Sequence, residues 1–161
     1  MPIARNIDLL KYQSFLEIET RQDQRKIFDP IRKRWYILQP EEFVRQLVIL
    51  YLNKSLNYPL KRIAVERQLT VHQLKKRFDL VVYDHTGKPL ILIECKSPKG
   101  KIDERVALQI SQYNLSLSAN YLWITNGEKN LFYKIDYASN QAKSIEKLPP
   151  YEIVSNSNEE G

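Results

Sequence analysis

Hydrophobic positions change period several times along the chain, and each change predicts an element. From Phe15 to Thr20, FLEIET alternates apolar and polar residues, the period of a strand. RKIFDPIRKRWYILQP follows, with Pro30 after Asp29 and an apolar patch from Trp35 to Leu38, and predicts two or three short strands in a small antiparallel flap. After Gln39-Pro40 the period lengthens: Val44, Leu47, Val48 and Tyr51 recur at helical spacing. Pro40 suits the first turn, and Glu41 and Glu42 lie beside the positive end of the helix dipole, so a helix is predicted to about Lys54. Asn57-Tyr58-Pro59 ends it, and alternation returns from Arg62 to Val71, with Ile63, Val65 and Leu69 on one face. Phe78 to Asp84 and Leu90 to Cys95 are near-continuous apolar runs that read as buried strands, joined by His85-Thr86-Gly87-Lys88 as a hairpin turn. Ser97 to Lys101 form a basic loop. Asp103 and Glu104 open a second helix, to about Ala119, with Val106, Leu108, Ile110, Tyr113 and Leu117 among its apolar positions. YLWIT from Tyr121 is a buried strand, Asn126-Gly127 a turn, and LFYKIDY from Leu131 a returning strand.

The order is flap, helix, three strands, helix, strand, strand, which is an α/β layer architecture with a central mixed sheet. One domain is expected over residues 1–154. Residues 1–39 form an N-terminal extension with the β flap, and residues 40–137 form the core. Residues 138–150 read as a loop and closing segment, and the polar 155–161 as a disordered tail.

Composition narrows this only a little. The 161 residues suffice for one core, and 43% hydrophobic content is ordinary for a globular chain. No apolar run approaches the ~20 residues of a membrane span, and no secretory leader is evident. Cys95 is the only cysteine, which excludes an intrachain disulfide and a multi-cysteine zinc site, so cytoplasmic residence is expected. Lys plus Arg number 25 against 19 Asp plus Glu, a net charge of +6. That suits a polyanion partner, and equally an ordinary basic protein.

The chemistry is concentrated in PLILIECKSP, Pro89 to Pro98. Side chains two apart on a strand share a face, so Glu94 and Lys96 point one way while Cys95 points the other with Ile93 and Ile91. Charges set into a core strand are expensive unless paired or used. Asp79 lies at the start of the preceding strand. Two carboxylates from adjacent strands, with the backbone carbonyl of Cys95, suit a hard cation such as Mg²⁺ or Mn²⁺. Lys96 could orient a water or stabilise charge on a phosphate. The same spacing also suits a salt bridge between Lys96 and Glu94 at a sheet end.

The element order around Asp79 and Glu94-Cys95-Lys96 resembles that of the PD-(D/E)XK nucleases, with Phe78-Asp79 standing where the family name has Pro-Asp. KIFDPIRKRWYILQPEEFVRQ, KKRFDLVVYD, ILIECKSP, QISQY and ITNG look like the N-terminal nuclease domain of type I restriction enzyme R subunits in a short stand-alone form, over roughly residues 25 to 130. The resemblance implies a restriction-endonuclease-like αβββαβ core and a Mg²⁺-dependent DNA endonuclease with Asp79, Glu94 and Lys96 as its catalytic set. It also implies a supporting role for Gln109 and Tyr113, the Q-x-x-x-Y pair one helical turn apart, for which a core aromatic is the plainer reading of Tyr113. The family places a glutamate near the metal at the start of the first helix. Glu41, three residues before Val44 and seven before Val48, shares their inward face and is the one favoured over Glu42.

Lys75, Lys76, Arg77, Lys99 and Lys101 flank the two strands and could hold phosphates, and Arg32, Lys33 and Arg34 with Trp35 and Tyr36 could form a second backbone-contacting edge. Solvated charge explains such runs equally well. His72 and His85 read as solvated rather than catalytic. The chain carries no P-loop, whereas type I enzymes follow this domain with a motor. A free-standing nuclease, a part acting with other restriction-system chains, and a non-cleaving nucleic-acid-binding or assembly protein therefore stay open, with an RNA nuclease behind them. One catalytic set cuts one strand, so a homodimer is expected, through Arg32–Leu38 or Leu131–Tyr137.

Overall fold

The computed structural model describes residues 5–71 and 74–151, with backbone alone at 67–71, 74–76, 113, 115 and 116. His72 and the tail at 155–161 lie outside the described residues, as do the side chains of Lys75, Lys76 and Tyr113.

The strands are β1 (Arg5–Asn6), β2 (Ile18–Arg21), β3 (Gln24–Asp29), β4 (Arg34–Ile37), β5 (Ile63–Val71), β6 (Leu74–Tyr83), β7 (Pro89–Cys95), β8 (Tyr121–Thr125), β9 (Lys129–Asp136) and β10 (Gln141–Ile145). The helices are α1 (Pro40–Lys54) and α2 (Glu104–Leu117). A seven-stranded sheet runs β1-β9-β8-β7-β6-β5, with β10 also paired to β9, and β2-β3-β4 form a separate antiparallel flap. The main sheet is mixed: β7 and β8 pair in parallel through the α2 crossover, and the other pairs are antiparallel.

The sheet has an apolar layer on each face. Val44, Leu47, Val48 and Leu52 of α1 join Leu80, Val82, Ile91, Ile93, Cys95, Trp123 and Phe132. On the other face Ile110 of α2 joins Val81, Leu92, Leu122, Ile124, Leu131 and Tyr133. Ile91, Ile93 and Cys95 thus share the α1 face and Leu92 takes the opposite one, as alternation requires. The turn after β6 is fixed by Asp84, whose Oδ1 accepts from Thr86 N at 2.8 Å and Lys88 N at 3.0 Å, while Gly87 takes φ +85°.

Several expectations change. Leu9–Phe15 is a 3-10 helix whose Leu9 and Tyr12 enter the core, and Arg5–Asn6 pair with β9, so part of the N-terminal extension belongs to the main sheet. Gln141–Ile145 is a strand rather than a loop. Its exposed residues carry little apolar alternation, and pairing with β9 decides it. Leu108 is exposed (62%), because the inward stripe of α2 runs through Val106, Ile110 and Asn114. The Leu131–Tyr137 segment lies between β8 on one side and β1 and β10 on the other, with Leu131, Phe132 and Tyr133 buried. Its first apolar residues thus belong to the core, while Tyr137 at its end stays exposed (42%).

Candidate active site

Asp79 sits on β6 and Glu94 on β7. The β6–β7 ladder pairs Val82 with Ile91, Val81 with Leu92 and Leu80 with Ile93. One step further, the same register sets Asp79 opposite Glu94. There the ladder gives way to a side-chain bond: the Cys95 amide donates to Asp79 Oδ2 at 2.8 Å. On the other side β5 pairs Val65 with Leu80 and Arg67 with Phe78, so Glu66 stands opposite Asp79 at a skipped pair. Glu66 has φ +52°, a left-handed conformation that a side chain with a Cβ rarely adopts. The core side chains of β6 slip at the same point: Phe78 joins the α2-side layer, whereas Leu80 joins the α1 side. Glu66, Asp79 and Glu94 therefore lie abreast on three adjacent strands.

Like charges on neighbouring strands repel, so such a row needs cations. Arg45 of α1 donates from Nη2 to Asp79 Oδ1 at 3.0 Å and lies 3.5 Å from Glu66. Its Nη1 donates to Glu42 at 3.0 Å. Arg32, in the β3–β4 turn, donates from Nη2 to Glu42 at 2.6 Å and from Nε to Asp29 at 2.6 Å, and lies 3.6 Å from Glu66. Asp29 is fully buried and also accepts from the amides of Ile31 and Arg32. Burial opposes the charge on Arg45, but Glu42 and Asp79 outweigh it and hold its pKa above the usual arginine value.

Lys96 Nζ lies 3.4 Å from Glu94 Oε1, so the sequence-expected ion pair is present and remains partly open to solvent. Burial, and then the Asp79 charge, push Glu94 up to about 7, with Lys96 offsetting only part of the rise. Burial pushes the Cys95 thiol well up, and the side chain is buried on the α1 face. The loop after β7 is held by Gly100 N donating to Ser97 O at 2.7 Å and by Asn126 Nδ2 donating to Gly100 O at 3.0 Å. A Cβ at Gly100 would come within 2.9 Å of Lys96 Cβ, so this glycine sets how closely the loop folds onto Lys96.

The structure brings Asp79, Glu94 and Lys96 together. Arg77, Lys99 and Lys101 are exposed around them. Gln109 is exposed on α2, off the helix's inward stripe. The glutamate assignment at α1 is corrected. Glu41 is exposed, whereas Glu42 is buried among Arg32, Arg45 and Gln46, because the helix face toward the site carries Glu42, Arg45 and Gln46. Arg32 is not a free edge cation: it is bound to Asp29 and Glu42 and stacks 3.5 Å above the Tyr36 ring. Glu66, Arg45 and Asp29 were not read from the sequence. Glu66 becomes visible only when β5 is laid against β6 in register.

Among the described residues no group of three or more His, Cys, Asp or Glu is arranged to hold a metal. What the site offers is oxygen: two opposed carboxylates, Glu94 raised by burial and then by Asp79, beside the Cys95 main chain. That donor chemistry fits a hard divalent cation that keeps several waters and does not fit a thiolate or imidazole metal.

A family model described as type I restriction enzyme R protein N terminus matches residues 40–149. No curated protein matches the chain. Among solved structures, the chain is similar to a fragment of a protein assigned as an HsdR subunit of a type I restriction enzyme from Vibrio vulnificus. The TM-score is 0.54 at 15% identity, over 76% of this chain and 26% of that one. At that identity the likeness speaks for the fold alone.

Proposed function

Because this chain belongs to the family of type I restriction enzyme R protein N-terminal domains, we propose that it is a metal-dependent DNA endonuclease domain. The observation that carries the reading is the opposed pair Asp79 and Glu94, with Lys96 3.4 Å from Glu94 at one end of the sheet. Asp79, Glu94 and the Cys95 carbonyl would hold Mg²⁺ or Mn²⁺. When bound, such an ion neutralises a phosphate oxygen and lowers the pKa of a bound water.

The chain's own residues supply the rest. The Cys95 amide fixes the Asp79 carboxylate from one side. Lys96, partly exposed and 3.4 Å from Glu94, would stabilise charge that grows on a phosphate held beside the pair. In hydrolysis the attacking water gives up a proton to solvent as its oxygen bonds to phosphorus, the bond to the leaving sugar oxygen breaks, and that oxygen takes up a proton from solvent. Arg77, Lys99 and Lys101 would contact flanking phosphates and set position without reading bases. Partnership with DNA and with other restriction-system chains belongs to the same proposal.

The test is incubation with supercoiled and linear DNA in Mg²⁺, in Mn²⁺ and in chelator, with wild type, Asp79→Asn and Lys96→Ala. Cleavage is expected only for wild type with metal. Lys96→Ala should lose orders of magnitude in rate while keeping DNA affinity, since its role is in the transition state. A fully active Lys96→Ala protein would leave only the structural ion pair. DNA binding without cleavage by wild type in either metal would favour the non-cleaving reading.

A further inference from the structure

Arg45 is the cation that Asp79 holds in this structure, and its surroundings suggest what it is for. Three carboxylates share its guanidinium: Glu42 at 3.0 Å, Asp79 at 3.0 Å and Glu66 at 3.5 Å. Two of them have further side-chain donors. Glu42 also accepts from Arg32 at 2.6 Å and from Gln46 at 3.4 Å. Glu66 also lies 3.6 Å from Arg32 and 4.0 Å from Arg77. Asp79 Oδ1 accepts from Arg45, while Oδ2 takes the Cys95 amide. The guanidinium is therefore redundant for Glu42 and Glu66 and specific for Asp79. Its Nε is buried and has no partner among the described residues, so Arg45 keeps a donor that its present position does not use there.

Glu66 adds the second observation. A non-glycine residue at φ +52° inside a strand is strained, and the strain falls at the residue opposite Asp79. The conformation sets a carboxylate beside the Arg45 guanidinium, on the side away from Glu94.

Resting on the metal-dependent reading above, we propose that Arg45 is a resident counter-cation of Asp79 and a positioning residue for the site. A divalent ion entering between Asp79 and Glu94 must displace the guanidinium from Asp79, and Glu66 receives it. The carboxylate row is then never left uncompensated. Without metal it carries arginine on Asp79; with metal the arginine rests on Glu66 and Glu42. Arg45 thus weakens metal binding, and Glu66 strengthens it.

Neighbouring residues should therefore act with opposite sign, which simple structural damage would not produce. The measurement is Mn²⁺ binding to DNA-free protein by calorimetry or electron paramagnetic resonance. Wild type against Asp79→Asn decides the underlying reading: equal binding would remove the metal site itself. Given that difference, Arg45→Gln is expected to bind Mn²⁺ more tightly, on the order of tenfold for removal of one nearby unit charge under strong screening. Glu66→Gln is expected to bind it several-fold more weakly, and the double variant to bind more tightly than Glu66→Gln. Unchanged or weaker binding in Arg45→Gln would overturn the proposal while leaving the metal site in place. So would unchanged or tighter binding in Glu66→Gln. Should Arg45→Gln fail to fold, the wild type decides by nuclear magnetic resonance. Mg²⁺ at a concentration that shifts the Cys95 amide should also shift the Arg45 Nε–H resonance. An unmoved arginine resonance would overturn the displacement.

Discussion

Glu94 is the residue at which the cost of the site is most directly measurable. Burial and Asp79 lift it to about 7 from an ordinary value of 4.5. A carboxyl whose pKa is raised by folding contributes stability below its unfolded pKa and loses it as pH rises through the folded value. Wild type should therefore weaken relative to Glu94→Gln between about pH 4.5 and 7, by up to on the order of 3 kcal/mol. Urea melts of both proteins at pH 5 and pH 8 check this. A gap of the same size at both pH values would contradict it. Gly100 gives a second expectation at this scale. A methyl group there meets Lys96 Cβ at 2.9 Å and Ser97 O at 3.0 Å, neither of them the far end of a flexible chain. Gly100→Ala should move Lys96 and slow cleavage by roughly ten- to a hundredfold, the size of a small misplacement of a reacting group. Single-turnover rates beside DNA affinity separate this from a binding loss, since affinity should hold.

At the scale of elements, α1 does two things with two faces. Val44, Leu47, Val48 and Leu52 pack on the sheet, while Glu42, Arg45 and Gln46 reach along it toward the carboxylate row. The flap is joined to that second face through Asp29 and Arg32. Removing Glu42 would leave Arg32 and Arg45 without the nearer and more buried of the two carboxylates they share, Glu66 being the other. Glu42→Ala should therefore destabilise the protein by about 3 kcal/mol, as breaking a buried ion pair does. Glu41→Ala, one residue earlier and exposed, should stay within about 0.5 kcal/mol. Denaturant midpoints of the two variants test this; similar losses would mean that Glu42 is not a keystone of the network. Spacing from the apolar stripe of α1 favours Glu41. The site lies off that stripe, on a polar flank that no hydrophobic period marks.

On the proposed reading the whole molecule carries one Asp79–Glu94–Lys96 set per chain, so a single copy would break one strand at each visit to a duplex. Supercoiled plasmid should give nicked circles first. Linear product should rise with a higher power of protein concentration if two copies must meet on the DNA, and nicked circles would be bypassed if a pair forms beforehand. Neither outcome can use edge-to-edge pairing through β9, since that strand is flanked by β8 and by β1 and β10. Lys99 and Lys101 are exposed on the loop leaving β7. Replacing either with Ala should weaken DNA binding evenly across sequences and lower its salt slope by about 1. Titrations at several salt concentrations check it; an unchanged slope would place the phosphate contacts elsewhere.

The sequence by itself determined the elements whose period is strong and the pair of faces along β7. Helix α1 was legible from Gln39-Pro40 and the stripe Val44, Leu47, Val48, and the hairpin from Gly87. The common side of Glu94 and Lys96 followed from the two-residue repeat of a strand, and the family resemblance followed from the same motifs. Strand β10 and the pairing of Arg5–Asn6 were not legible, because an exposed edge strand is decided by the partner it hydrogen-bonds and not by its own apolar pattern. Nor was the row Glu66, Asp79, Glu94. A row across three strands exists only once their registers are fixed, and those registers depend on a hairpin turn and on a residue at φ +52° that no local rule predicts. Arg45 reaches Asp79 from 34 residues away in sequence, across the packing of a helix on a sheet. Local patterning sets which side chains share a face of one element, whereas only tertiary packing sets which charges from different elements must neutralise one another.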